Sequence, residues 1–190
     1  MRKHISRYLL FAIGIAGILA TVASGLLRAG KPAFGMTQAA GLVISTFLAM
    51  QSMQGIAFPK IRVRVWLLLL VYLVGVLFMG LRPLRHELAA NRHFLVSSFF
   101  PRRDFIINIV GFIPFGYLIE LYIVSSLRRG GLLGKTLLAV IAGIATSLLL
   151  EIAQFYIPGR TSSLFDVIAN GIGTFVGVAY FLVEKKFSSR

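Results

Sequence analysis

Six polar side chains interrupt the apolar stretches of this 190-residue sequence, and their types allow specific chemistry. A carboxylate at the centre of a bilayer costs about 2.5–3.5 kcal/mol, so such a group usually pairs with another residue or marks a functional site. Carboxylates act as general bases, and arginines beside them neutralise them or hold a phosphate group. The six residues are Asn108, Glu120, Glu151, Gln154, Asp166 and Asn170.

Spacing places four of these residues in two pairs. Glu151 and Gln154 are three residues apart, and Asp166 and Asn170 are four apart. Each pair therefore shares one face if its segment is helical. Glu120 follows Asn108 by a distance of about 18 Å along a helix, so we exclude Glu120 from a common site.

The elements that must position these side chains are membrane-spanning helices. Hydrophobic residues make up 57% of the chain, charged residues only 14%, and the mean hydropathy is +0.86. A soluble domain carries about a quarter charged residues. Here long uncharged runs alternate with short basic clusters, the pattern of helices in lipid joined by aqueous loops. We predict an all-α, polytopic transmembrane helix bundle of about six spans.

Six apolar runs define the predicted spans. The first is longer than the roughly 7–15-residue core of a signal peptide, so we expect a retained helix. In the longest connection, residues 82–104, leucines at helical spacing predict a short helix in the membrane interface. The predicted spans are residues 8–27, 32–59, 66–81, 105–127, 136–157 and 164–183.

Basic residues set the expected orientation and partners. Segments on the side of the N terminus hold twelve of the 20 Lys and Arg, and the other side holds eight. The positive-inside rule therefore predicts both termini in the cytoplasm. The net charge of +14 is clustered at the ends of apolar runs, which favours the bilayer and its anionic lipids over nucleic acid as partners.

Helix alternation brings the polar pairs together. The fourth span begins, the fifth ends and the sixth begins on one side of the membrane, which the count of basic residues makes the outer side. We predict a polar pocket at the outer leaflet, in which arginines neutralise carboxylates. Its predicted members are Arg103, Asn108, Glu151, Gln154, Arg160, Asp166 and Asn170.

A purely structural account explains the same residues differently. Asp166 would be the acid in the first turn of a helix capped by Ser163. Glu151 would form an interhelical ion pair with Arg160 or Arg103. The two asparagines would then only join neighbouring helices by hydrogen bonds.

Three further residues predict helix packing. Gly173 and Gly177 form a G-x-x-x-G face on the sixth span, which allows a neighbouring backbone to approach closely. Pro114 removes one hydrogen bond from the fourth span and is expected to kink it.

Cofactor motifs are not found in this sequence. The absence of cysteine excludes disulfides, thiolate metal sites and cysteine nucleophiles. We find no phosphate-binding glycine-rich loop, no HExxH motif and no nucleophile elbow. We therefore expect no cofactor and no bound metal.

Ordered segments of the sequence resemble the VanZ-like family. Residues 108–116, NIVGFIPFG, are similar to the family's N-x-x-x-F-x-P-F-G pattern. Residues 151–154, EIAQ, and residues 166–173, DVIANGIG, resemble its second signature, with Arg160 between them. The resemblance covers residues 66–183. It predicts a VanZ-like domain at residues 63–185 after a transmembrane hairpin extension at residues 1–62.

One stretch departs from the family's pattern. Many members carry another acidic residue between the positions of Arg160 and Asp166, where this chain has Thr161, Ser162 and Ser163. We therefore expect the site to lack one polar contact.

The resemblance implies a protein of the bacterial inner membrane with a role in the cell envelope, but it does not imply a reaction. The family is named for a bacterial membrane protein that gives low-level resistance to teicoplanin, a glycopeptide that binds peptidoglycan precursors. Our leading hypothesis is a non-enzymatic envelope protein that influences susceptibility to glycopeptides of the teicoplanin type. Its outer pocket would bind a headgroup, of a lipid or of a peptidoglycan precursor, or alter the access of glycopeptides to the cell surface. One alternative is an intramembrane enzyme for a lipid-linked phosphate or sugar, with Glu151 or Asp166 as general base. A small transporter is a third hypothesis, for which inverted repeats and broken helices would be expected. The sequence leaves the oligomeric state open.

Overall fold

A computed structural model describes residues 2–27, 34–51, 60–81, 102–157, 160 and 162–188. These residues are almost entirely helical, which confirms the all-α prediction. The connection predicted to hold an interfacial helix lies outside the described residues, except for the start of the fourth helix. The helices are α1 (Arg2–Leu27), α2 (Phe34–Gln51), α3 (Lys60–Gly80), α4 (Arg102–Ser126), α5 (Leu132–Phe155) and α6 (Leu164–Ser188).

The described helices have the dimensions of membrane spans. Four contain segments long and apolar enough to cross a bilayer: Val63–Gly80, Asp104–Ser126, Leu132–Phe155 and Leu164–Phe187. The first two helices contain shorter apolar segments, Leu9–Ser24 and Ala40–Gln51. Large apolar side chains such as those of Leu149 and Phe175 are more than 60% exposed, as expected of a surface that faces lipid. The protein is a polytopic transmembrane bundle of about six spans.

Several helices extend beyond the predicted apolar runs. Helix α3 begins at Lys60, six residues before the predicted span, and α6 continues to Ser188. The runs were bounded at charged residues, but a helix need not end where its side chains become basic. Lysine and arginine at the ends of a span keep their charged groups in the interface while their stems cover apolar surface.

The main apolar core lies among α1, α2, α3 and α4. Its most deeply buried side chains include Ile18, Leu42, Leu68, Tyr72 and Leu118, each at most 2% exposed. The hydroxyl of Tyr72 donates a hydrogen bond to the main-chain carbonyl of Gly111 and so joins α3 to α4. A buried hydroxyl with a partner avoids the cost of leaving a polar group unpaired in an apolar environment.

Helices α4 and α6 are the most closely packed pair in the bundle. A Cβ atom built on Gly177 would lie 2.0 Å from the carbonyl oxygen of Ile113, and one built on Gly173 would lie 2.2 Å from that of Ile109. From the other helix, a Cβ on Gly116 would lie 2.1 Å from the carbonyl oxygen of Thr174. The two backbones are therefore in direct contact at three glycines. Helix α4 runs through Pro114, which is buried within the bundle.

The hairpin of α1 and α2 packs directly against the other helices. Small residues allow α1 and α2 to lie close together, because Gly14 and Gly17 face Ala49 and Ser45. Helix α1 also contacts α3, and α2 also contacts α4. The ring of Phe47 in α2 meets the ring of Tyr180 in α6 at a centroid distance of 6.2 Å.

Candidate functional site

Glu151 occupies the last turns of α5 and is only 2% exposed. Its Oε2 atom accepts a hydrogen bond of 2.8 Å from the main-chain N–H of Ser163. The hydroxyl of Ser162 donates to the main-chain carbonyl of Glu151 at 2.6 Å. The side chain and the main chain of Glu151 therefore both bond to the residues that directly precede α6.

Asp166 lies in the first turn of α6 and faces α4. The carbonyl of Ser163 accepts the N–H groups of Asp166 and Val167 at 3.1 and 3.4 Å, which begins the helix. A carboxylate at this position is stabilised by the helix dipole. The side chain of Asn108 in α4 also hydrogen-bonds the Asp166 carboxylate. Asp166 thus combines the position of a helix-start acid with a contact to a second helix.

Arg160 supplies the positive charge of this cluster. Its charge acts on the carboxylates of both Glu151 and Asp166. One of its terminal nitrogens donates a hydrogen bond of 2.8 Å to the main-chain carbonyl of Met79, at the end of α3. A guanidinium near two carboxylates offsets part of the cost of burying them.

Gln154 fixes the same end of α3 to α5. Its Nε2 atom donates to the main-chain carbonyl of Gly80 at 3.1 Å. The last carbonyls of a helix have no partner within that helix. The side chains of Gln154 and Arg160 satisfy two such carbonyls and draw α3 into the cluster.

Asn170 lies one turn deeper in α6 and is 4% exposed. Its Nδ2 atom donates to the hydroxyl of Ser147 in α5 at 2.8 Å. Its Oδ1 atom is buried without a hydrogen-bond partner among the described residues. A buried polar atom in this state is usually satisfied by a water molecule or a ligand group, so the cluster has capacity for one more donor.

The structure brings six of the seven predicted pocket residues to one end of the α4–α5–α6 bundle. Asn170 lies one helical turn further along α6 than Asp166. The side chain of the seventh residue, Arg103, lies outside the described residues. We define the polar cluster as Asn108, Glu151, Gln154, Arg160, Asp166 and Asn170, with the serines that bond to them.

Several contacts of the polar cluster were missed by sequence reasoning. Ser162 and Ser163 lie where the family pattern predicts an acid, and both instead bond to Glu151. Ser147 precedes Glu151 by four residues and so shares its helix face, a signal that could have identified it. The main-chain carbonyls of Met79 and Gly80 could not be identified from the sequence, because every residue has a main-chain carbonyl.

Glu120 lies apart from the polar cluster, toward the opposite end of α4. It is fully buried, and its Oε1 atom accepts a hydrogen bond of 2.9 Å from the hydroxyl of Thr136. Its Oε2 atom has no hydrogen-bond partner within the described part of the chain.

The polar cluster presents hydrogen-bond acceptors and donors together. Two carboxylates, three amides and one guanidinium can recognise a polar headgroup that carries both hydroxyl and anionic groups. Among the described residues, no group of three or more His, Cys, Asp or Glu side chains could hold a metal ion.

Comparison with known protein families identifies the chain. Residues 42–184 match the VanZ/LLP1 family. The match begins inside α2, earlier than the resemblance at residues 66–183, and ends at Glu184 in α6. Comparisons with curated proteins and with solved structures gave no match. The family match covers three quarters of the chain and confirms the resemblance: this membrane protein belongs to the VanZ/LLP1 family.

Proposed function

We propose that this protein acts at the outer face of the bacterial cytoplasmic membrane, where the polar cluster binds the headgroup of a lipid or of a peptidoglycan precursor. Such binding would reduce the access of a glycopeptide of the teicoplanin type to its target in the cell envelope. The observation that carries the proposal is the convergence, at one end of the helices, of the buried Glu151, of Asp166 and of a guanidinium, Arg160, whose charge acts on both carboxylates. Beside it, one oxygen of Asn170 has no partner among the described residues.

The arrangement favours recognition of a polar group over a purely structural ion pair. A structural pair would satisfy its own hydrogen bonds, because an unpaired buried polar atom is costly. The acceptor left on Asn170 and the mixed donors and acceptors above it suit a sugar hydroxyl or phosphate at the membrane surface.

The first test is a glycopeptide susceptibility assay in a sensitive Gram-positive host. We expect the wild-type protein to raise teicoplanin tolerance, and Glu151→Gln and Arg160→Ala to return it to the level of the empty vector. Glu151→Gln keeps an acceptor for the Ser163 N–H but removes the charge. Arg128→Ala is the matched control, because Arg128 is an exposed arginine at the other end of the bundle.

Membrane abundance of every variant must be measured beside tolerance. Abundant variants that protect as well as wild type would contradict a role for the polar cluster. An abundant wild-type protein with no effect on tolerance would contradict the glycopeptide proposal and direct the search to enzymatic turnover of lipid-linked substrates.

The orientation in this proposal gives a separate prediction. Since the chain has no cysteine, a single Ser189→Cys substitution introduces one unique thiol near the C terminus. We expect an impermeant maleimide to label this thiol only after the cells are opened, because the C terminus is proposed to be cytoplasmic. Labelling of intact cells would place the C terminus outside and would move the polar cluster to the cytoplasmic side.

A further inference from the structure

A small cavity lies at the end of the bundle opposite the polar cluster, where α2, α4 and α6 meet. Its volume is about 10 Å³, enough for one group the size of a water molecule. The cavity is lined by Phe47, Met50, Gln51, Tyr117, Tyr180 and Glu184.

Aromatic rings and one carboxylate dominate the lining of this cavity. The rings of Tyr117 and Tyr180 have a centroid distance of 5.7 Å, and that of Phe47 meets Tyr180 edge-on at 6.2 Å. The hydroxyl of Tyr117 donates to the Oε2 atom of Glu184 at 2.7 Å. Aromatic faces attract cations by their quadrupole, and rings arranged around a small space are known to recognise ammonium groups. The carboxylate of Glu184 lies beside these three rings and would also attract a cation.

The size of the cavity restricts the type of ammonium. A primary ammonium, –NH3⁺, occupies about the volume of a water molecule, so it fits the available space. A trimethylammonium group carries three additional methyl groups and would require the rings to move apart. The cavity therefore favours a primary ammonium over a quaternary one.

The position of the cavity indicates where this ammonium comes from. Glu184 lies three residues before the end of the apolar segment at Phe187, at the depth where lipid headgroups begin. Gln51 is exposed and ends α2 at the same level. Lys185 and Lys186 are exposed and follow Glu184 directly. A zwitterionic headgroup would place its ammonium in the cavity and its phosphate at the membrane surface, where Lys185 and Lys186 add positive charge.

We propose that this aromatic and carboxylate cage binds the primary ammonium of an ethanolamine phospholipid. The cage joins the two ends of the family match, which begins at residue 42, shortly before Phe47, and ends at Glu184. A bound headgroup would connect α2 to α4 and α6. This site lies at the opposite end of the bundle from the polar cluster and does not depend on its function.

A simpler account assigns the same residues to the membrane interface alone. Tyrosines are enriched at the headgroup level of membrane proteins, and the Tyr117–Glu184 hydrogen bond would then only join two helices. That account predicts no preference among zwitterionic headgroups. The two accounts therefore differ in a measurable quantity.

The experiment is native mass spectrometry of the full-length protein released from nanodiscs that contain equal amounts of ethanolamine, choline and glycerol phospholipids. We expect wild type to retain the ethanolamine lipid about tenfold over the choline lipid, a difference that corresponds to about 1.4 kcal/mol. Glu184→Gln should abolish this preference, because it removes the charge while keeping an acceptor for Tyr117. Tyr180→Leu should weaken it by removing one ring that is 44% exposed and contributes little to the core.

Asp104→Asn is the matched control, since it neutralises an exposed carboxylate at the other end of α4, and it should keep the wild-type preference. Equal retention of ethanolamine and choline lipids by wild type would overturn the proposal. Preferential retention of the glycerol lipid would also overturn it, since it would indicate attraction to the lysines alone. A thermal shift with soluble ethanolamine but no lipid selectivity would assign the cage to a free amine and reject the lipid.

Discussion

Gly177→Ala is expected to destabilise the bundle severely, because there is no space for a methyl group between α4 and α6. The new Cβ would lie 2.0 Å from the carbonyl oxygen of Ile113 and 2.7 Å from the main-chain nitrogen of Tyr117. Neither neighbour is a flexible side chain, so the two helices must separate. Overpacking typically costs 1–3 kcal/mol and occasionally more; we expect about 3 kcal/mol here because backbone atoms are involved.

The measurement is thermal unfolding of the purified protein in detergent. For a chain of this length, about 3 kcal/mol corresponds to a decrease of roughly 6–12 °C in Tm. Gly171→Ala is the matched control, because it adds the same methyl group to α6 at a site where the nearest atom, Cγ1 of Ile144, is 3.6 Å away. Both substitutions gain the same helix propensity, so that contribution cancels. Equal Tm values for the two variants would contradict the direct contact of α4 and α6.

Arg160→Met is the second substitution expected to have a large effect. It removes the positive charge that acts on the carboxylates of Glu151 and Asp166. It also removes a hydrogen bond to the carbonyl of Met79. Loss of one partner from a fully buried ion pair costs about 3–5 kcal/mol. Arg160 is half-buried, so solvent screens part of the effect and we expect about 2 kcal/mol.

A charge-rescue series distinguishes this mechanism from loss of packing. Adding Glu151→Gln and Asp166→Asn to Arg160→Met removes both uncompensated charges, and we expect it to recover more than half of the lost Tm. Arg128→Met, at an exposed arginine, should change Tm by less than 1 °C. A triple variant as unstable as Arg160→Met would show that the guanidinium acts by packing and by its hydrogen bond to α3.

Much of the fold was predictable because lipid imposes a simple rule on the sequence. An uncharged run long enough to span hydrocarbon becomes a helix, and the four longest candidate spans coincide with described helices. Helix ends were less predictable, as the start of α3 at Lys60 shows. Hydropathy marks where the apolar surface ends, but hydrogen bonds and the basic side chains at the interface decide where the helix ends.

The grouping of the polar cluster was predictable for a different reason. Alternation of spans fixes which helix ends share one side of a membrane, and residue spacing fixes which side chains share a face. These two rules led to Asn108, Glu151 and Asp166 without any knowledge of helix packing. They could not assign partners: the sequence shows that Gly177 permits a close neighbour, but it does not show that the neighbour is α4.

Contacts made by main-chain atoms were beyond sequence reasoning. Arg160 and Gln154 bond to the carbonyls of Met79 and Gly80, which depend only on where α3 ends. The resemblance had suggested that the serines near residue 162 replace an acid and leave a contact missing. Ser162 and Ser163 instead bond to Glu151, so this stretch makes contacts of its own.

The pairing of α4 with α6 has a consequence for biosynthesis. A ribosome adds about 5–20 residues per second, so α6 emerges on the order of several seconds after α4 has entered the membrane. During this interval Asn108 and Gly116 of α4 lack the helix that covers them in the folded protein. The most closely packed interface and the polar cluster are therefore completed together, when α6 enters the membrane. A ribosome that stalls before residue 164 would release a chain that lacks α6. Such a chain would be a substrate for membrane quality-control proteases.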